Sequence, residues 1–229
     1  MVAIILGLIY FVLEVCKVEN VVVEGNACYS SKQIEEMILN DENSWNSLYV
    51  FLKYRLQDIG EVAFVDDMEV TLDSPDTLHI KVYEKGILGY LYIPILGQNA
   101  YFDKDGFVVE TSVRVIDNVP KITGLRCSQV ILYEKLQLGD EGIIRFLLNL
   151  TQTLKKYELE PDEIAFDENK NASIYYGNIR IIIGDEQNIS QKVIRISHIL
   201  PQLNGLSGTL HLENWTEETT DIVFDKEES

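Results

Sequence analysis

Basic residues, cysteine and histidine are all scarce in this chain, and each shortage removes a class of chemistry. Lys and Arg number 19 against 37 Asp and Glu, giving a net charge of −18 and a pI near 4.5. Nucleic-acid affinity rests on cations that neutralise phosphates, so nucleic acid is not an expected partner. Much of the acidity gathers at the end, where Glu213, Glu217, Glu218, Asp221, Asp225, Glu227 and Glu228 face only Lys226. Such a run reads as a solvated tail, residues 216–229. Cys16, Cys28 and Cys127 show no C-x-x-C spacing and no histidines at ligand spacing, so they specify no zinc site. A Cys28–Cys127 disulfide is possible in an oxidising compartment, while the plainer reading is three small buried hydrophobes. His79, His198 and His211 are dispersed without a second ligand motif. No G-x-S-x-G, Walker loop or G-x-G-x-x-G occurs either. No catalytic residue, metal site, cofactor or small-molecule substrate is expected from these residues.

A hydrophobic run long enough to span a bilayer is lacking too. Met1 to Leu13 is uncharged, yet at about 1.5 Å per helical residue it reaches roughly 20 Å against about 30 Å of hydrocarbon. A secretory signal would show a positive n-region and a small-residue cleavage site, and neither is visible. The expectation is a truncated transmembrane anchor over residues 1–16, with a buried core helix as the alternative.

What is present is a regular alternation of patterns. Val21 to Val23 is a short β-branched run, Gly25-Asn26 suits a turn, and Ser30 with Gln33 has capping-box spacing ahead of Ile34, Met37 and Ile38. A second helix is expected from Asn46, with Leu48, Leu52, Leu56 and Ile59 on one face and Gly60 as its stop. Met68, Val70 and Leu72 alternate with polar residues, as do Leu78, Ile80 and Val82, and Asp73-Ser74-Pro75-Asp76 between them is a hairpin turn. The order over residues 18–86 is therefore β-α-α-β-β.

Beyond it, residues 87–215 read as a larger mixed α+β domain with a mainly antiparallel sheet. Strands are expected at Ile87–Ile93, in a hairpin around Asp103-Lys104-Asp105-Gly106, and at Ile164–Phe166, Ala172–Tyr176 and Ile179–Ile183. The Asp-Lys-Asp-Gly segment fails the EF-hand spacing and reads as a turn. Helices are expected through Ile143–Leu154 and Ile189–Leu200. Tyr90, Tyr92 and Tyr101 read as core or half-buried sheet positions, with an interface role as the alternative.

Two motif clusters carry a resemblance. Val23-Glu24-Gly25-Asn26 with Ser30 and Ile34, followed by the run from Ser74 through Pro75, Thr77, Leu78, Ile80 and Val82 to Glu84, resembles the POTRA domain of the FtsQ/DivIB family of bacterial cell-division proteins. Val119-Pro120-Lys121-Ile122-Thr123-Gly124-Leu125, with the Asp-x-Asp-Gly hairpin before it, is similar to the opening of that family's C-terminal β domain. Gly208 to Leu212 resembles its final strand, although His211 and Glu213 depart from the usual acidic-leucine-basic pattern. The resemblance implies a single-pass membrane protein with its bulk outside the cytoplasm, found at the division septum. It would be a non-enzymatic scaffold and regulator of septum formation that binds FtsL and FtsB/DivIC-type partners.

The mechanism expected is strand addition, in which a partner segment hydrogen-bonds to an exposed sheet edge. The last strand is the expected edge, with Thr209, Leu210, His211, Leu212, Glu213 and Trp215 as the partner-binding residues. Trp215 is open between an interface anchor and a residue packed on its own domain. A POTRA-bearing export or chaperone module that handles extended polypeptides is the alternative. An extracytoplasmic enzyme with a dispersed active site is a third reading, to be revived by a cleft with convergent, shifted titratable groups.

Overall fold

A computed structural model describes residues 1–57, 59–216, 218–219 and 221–227 of the chain. Glu217, Thr220, Glu228 and Ser229 of the expected acidic tail, and Asp58 of the expected second helix, lie outside the described residues. The chain separates into two compact units, Met1–Lys85 and Gly86–Ser229.

The first unit opens with helix α1 (Val2–Tyr10), which continues as a π-helical turn, Phe11–Val15. Among the described residues no helix is long and apolar enough to cross a membrane. Strand β1 (Asn20–Glu24), helices α2 (Ser31–Ile38) and α3 (Ser47–Leu56), and strands β2 (Val65–Ser74) and β3 (Thr77–Glu84) follow in the β-α-α-β-β order. β3 is central, parallel to β1 and antiparallel to β2. The alternation of β3 puts Leu78, Ile80 and Val82 on the face that meets Ile34 and Ile38 of α2 and Val50 of α3. Burying each such side chain stabilises by roughly 1.5–3 kcal/mol before entropy is counted.

Local chemistry fixes the joints of this unit. At the start of α2, Gln33 N donates to Ser30 Oγ at 3.3 Å and Ser30 N donates to Gln33 Oε1 at 2.9 Å, which completes the capping box. Gly25 has φ +79°, and a Cβ there would lie 2.3 Å from Val82 O, so only glycine lets the loop lie against β3. Glu84 then ties that loop down, its Oε1 accepting from Ala27 N at 2.7 Å and Cys28 N at 2.6 Å. The Gly and the distant Glu of the first motif cluster are thus two halves of one joint.

Helix α3 departs from the expected pattern. It ends at Leu56, with Gln57 extended, a turn before Gly60. Its buried side is Ser47 and Val50, with Tyr54 half-buried, whereas Leu52 and Leu56 face out. Its phase is set at its start: Asn46 caps it by accepting from Tyr49 N at 2.9 Å, and Ser47 Oγ donates to Pro75 O. Tyr54 Oη donates to Ile38 O at 2.9 Å and holds the same rotation near the other end.

Among the described residues the second unit is one nine-stranded sheet with two α-helices. The strands are β4 (Ile87–Ile93), β5 (Gln98–Asp103), β6 (Val108–Ser112), β7 (Lys121–Thr123), β8 (Glu163–Phe166), β9 (Ala172–Tyr176), β10 (Ile179–Gly184), β11 (Gly208–His211) and β12 (Val223–Lys226). Their spatial order is β12-β11-β10-β9-β8-β7-β4-β5-β6, and most neighbours run antiparallel. Helices α4 (Glu141–Lys156) and α5 (Ile189–Ile199) carry the apolar stripes expected for them. They bury Leu147, Leu150, Val193 and Ile196 against Ile164, Ile174, Ile181 and Leu210. The hairpin between β5 and β6 is the expected turn, with Asp103 Oδ1 accepting from Asp105 N and Phe107 N, each at 2.9 Å. Tyr90 and Tyr101 are buried, and Tyr92 is half exposed. Cys16 is buried and Cys127 half-buried, each a thiol and not half of a disulfide.

Candidate partner-binding edge

Strand order places the open margin elsewhere than the sequence suggested. β11 lies between β10, to which it is parallel, and β12, to which it is antiparallel. The expected edge at Thr209–Trp215 is therefore interior, and the margin on this side is β12. Val223–Lys226 lies in the run expected to be a solvated tail, where the acidic residues outnumber the single Lys226. The signal passed over is Ile222-Val223-Phe224, a short apolar run inside the acidic end. Ile222 and Phe224 pack on the core of this unit, which is sufficient to hold the strand.

The six expected partner-binding residues divide accordingly. Leu210 and Leu212 are core side chains, and Leu212 N donates to Ile182 O at 2.9 Å. Trp215 is 6% exposed and packed in the same core, with the Arg195 guanidinium 5.8 Å from its ring centroid, so it holds its own domain together. Thr209, His211 and Glu213 are half-buried. Proline at Leu210 or His211, the change suggested by an exposed edge, would instead break pairing inside the sheet.

The register of β12 fixes which way its backbone groups face. Thr209 pairs with Asp225, and Glu227 N donates to Ser207 O at 3.0 Å. Residues two apart in a strand aim their N–H and C=O groups to the same side. Val223 and Asp225 thus turn theirs toward β11, and Phe224 and Lys226 turn theirs away from the sheet. Gly208 adds to this fit: a Cβ there would lie 2.3 Å from Asp225 O, so the close approach of β12 depends on glycine.

A string of charges joins this margin to the core. His211 Nδ1 lies 2.9 Å from Glu213 Oε1, and His211 Nε2 lies 3.2 Å from Asp225 Oδ2 on β12. The Glu213 carboxylate, foremost, and Asp225 raise the His211 imidazole above its usual value. Burial by itself would raise Glu213, but the hydrogen bond with His211 leaves it lowered. Behind them Lys192 of α5 is 1% exposed, donates to Ile183 O at 2.8 Å and lies 3.9 Å from Asp185. Burial lowers its ammonium, and Asp185 and Glu213 work against that loss.

The outer face of β8, β9 and β10 forms an open groove of about 450 Å³ lined by Ser173, Tyr175, Arg180, Asp167 and Glu213 among others. Arg180 lies 6.0 Å from the Tyr175 ring centroid and donates to Ser173 Oγ at 3.3 Å. Backbone hydrogen bonding from Asn171, first of all, lowers the Asp167 carboxyl, and Glu213 is lowered as well. Two carboxylates pushed the same way are both ionised near neutral pH and do not form the split pair that acid–base chemistry uses. Among the described residues no group of three His, Cys, Asp or Glu side chains is placed to hold a metal ion.

No protein-family model matches the chain, and no curated protein matches it.

Proposed function

We propose that this chain is a non-enzymatic scaffold and regulator of bacterial septum formation, of the FtsQ/DivIB kind, that captures an extended segment of an FtsL or FtsB/DivIC-type partner on strand β12. In this reading it is a single-pass membrane protein with its bulk outside the cytoplasm, and residues 1–16 belong to the membrane anchor. The β-α-α-β-β order of the first unit and the mainly antiparallel sheet of the second support the resemblance. The observation that carries the mechanism is the margin itself: a short strand, Val223–Lys226, whose outward backbone groups at Phe224 and Lys226 lie at the end of a nine-stranded sheet. A partner strand there gains main-chain hydrogen bonds worth roughly 0.5–1.5 kcal/mol each, while alternate side chains set choice.

Lys226→Pro removes an outward-facing donor without taking one from the β11–β12 ladder. Titrating the full chain with a partner's juxtamembrane segment should show binding weakened about tenfold, the equivalent of roughly one such hydrogen bond. Removal of residues 221–229 should abolish binding. Unchanged affinity in both variants would show that the partner docks elsewhere.

A second reading, an export or chaperone module handling extended polypeptides, is favoured by a different edge. β2 is one of the two outer strands of the three-stranded sheet, the longer of them at ten residues. Equal binding of unrelated extended peptides, insensitive to Lys226→Pro, would select that reading.

A further inference from the structure

We propose that helix α3 of the first unit lies against a lipid surface, with Trp45, Tyr49, Leu52 and Leu56 entering the headgroup boundary. The proposal rests on the membrane reading above and extends it to a folded part of the molecule that the anchor does not include.

The residues recur at i, i+4, i+7 and i+11, one face of a helix and the residue before it. All four are exposed: Trp45 46%, Tyr49 36%, Leu52 45% and Leu56 81%. The opposite side of α3 is already used, with Val50 buried and Tyr54 half-buried in the core of the first unit. Sequence Ser-Leu-Tyr-Val-Phe-Leu-Lys-Tyr-Arg-Leu is apolar nearly all round. A helix of that kind is ordinarily covered on every side, but its own unit covers only one.

Charge and connectivity select lipid as the cover. In a chain of net charge −18, α3 contains no carboxylate and has Lys53 and Arg55 in its last turn. Arg55 lies 5.8 Å from the Phe51 ring centroid. The nearby Asp41 accepts Lys53 Nζ at 2.7 Å and Tyr49 Oη at 3.1 Å, so that carboxylate is paired, while Glu42 lines the surface beside Trp45. Aromatic and leucine residues on one face with basic residues in the last turn are what an interfacial helix presents to a bilayer.

The start of α3 is also bonded directly to the end of the apolar amino-terminal segment. Asn46 Nδ2 donates to Val12 O at 2.5 Å, Ser47 N donates to Cys16 O at 2.8 Å, and Val18 N donates to Trp45 O at 2.9 Å. Ile4, Ile5, Tyr10, Phe11 and Leu13 of that segment are exposed as well. A bilayer that receives that segment is thereby brought to the first turn of α3, where the stripe begins.

The test uses the full chain with Cys28 and Cys127 replaced by serine and one environment-sensitive fluorophore. The label is placed by Leu56→Cys on the stripe or by Lys32→Cys on the exposed side of α2. On vesicles of phosphatidylcholine and phosphatidylglycerol, the label at 56 should shift to the blue and be quenched by a lipid-borne quencher, and the label at 32 should do neither. Leu52→Glu with Leu56→Glu, both at exposed positions, should keep the circular dichroism of the parent and weaken vesicle binding on the order of tenfold. If the protein binds vesicles while the label at 56 stays aqueous, the inference is overturned and the anchor reading survives. If the unsubstituted chain does not bind vesicles, both fail. A blue shift at 56 that needs no vesicles and grows with protein concentration overturns lipid in favour of a second copy of the chain.

Discussion

At the scale of single residues, the motif positions act as joints between segments far apart in sequence. Gly124 follows β7 with φ +79°, and a Cβ there would lie 1.8 Å from Phe166 O at the end of β8. Alanine would meet both a disfavoured backbone region and a backbone oxygen that cannot swing aside. Gly124→Ala should therefore cost about 2–4 kcal/mol, read as a lower urea midpoint with an unchanged slope. Gly25 and Glu84 form the equivalent joint of the first unit, since the loop that Gly25 lets lie against Val82 is the one that Glu84 holds. Sequence marks Gly25 as a turn residue and Glu84 and Gly124 as motif positions; the contact with a distant strand that each makes is visible only in the fold.

At the scale of elements, the pairing of β11 with β12 should respond to pH through His211. The folded imidazole is raised above 6.5 because the Glu213 and Asp225 carboxylates favour its charged form. Protonation is thus tighter in the folded state, and the stabilisation is fully present below pH 6.5. It is lost as pH rises through the folded pKa. Asp225 is 71% exposed, so screening holds the effect below about 1 kcal/mol. Hydrogen-exchange protection of the Val223 and Asp225 amides, which face β11, should fall as pH rises above that window in the parent chain. In His211→Gln it should be lower at acid pH and flat across the same range. Equal protection profiles in the two proteins would show that His211 does not hold the strand.

Periodicity was a good guide to elements where one face alone is apolar. α4 and α5 bury the residues their spacing picks out. α3 is apolar on two sides, so spacing could select either, and the bonds made by Asn46, Ser47 and Tyr54 choose the side of Val50 over that of Leu52 and Leu56. β12 is hidden for the opposite reason, since three apolar residues among carboxylates give too little pattern to outweigh a charged context.

At the scale of the whole molecule, the two units have separate hydrophobic cores, one containing Ile80 and the other Leu147. Each side chain is fully buried. Ile80→Ala and Leu147→Ala should each cost about 2–5 kcal/mol, but in different cooperative transitions. Residue-resolved hydrogen exchange would assign them: Ile80→Ala should raise exchange in β1–β3 and Leu147→Ala in the nine-stranded sheet. A uniform rise across all strands from either substitution would show one cooperative unit instead.

By itself the sequence determined the β-α-α-β-β order of the first unit, the two helices and most of the strands of the second, and the hairpin turns between them. These depend on neighbours a few positions apart, on alternation, capping spacing and glycine at turns. Only the tertiary structure decided which strand is the margin, which side of α3 is covered and that Trp215 belongs to the core. Each of those depends on what packs against a segment from a distance: whether β11 is interior is a property of Val223–Lys226, and no pattern within Gly208–His211 contains it.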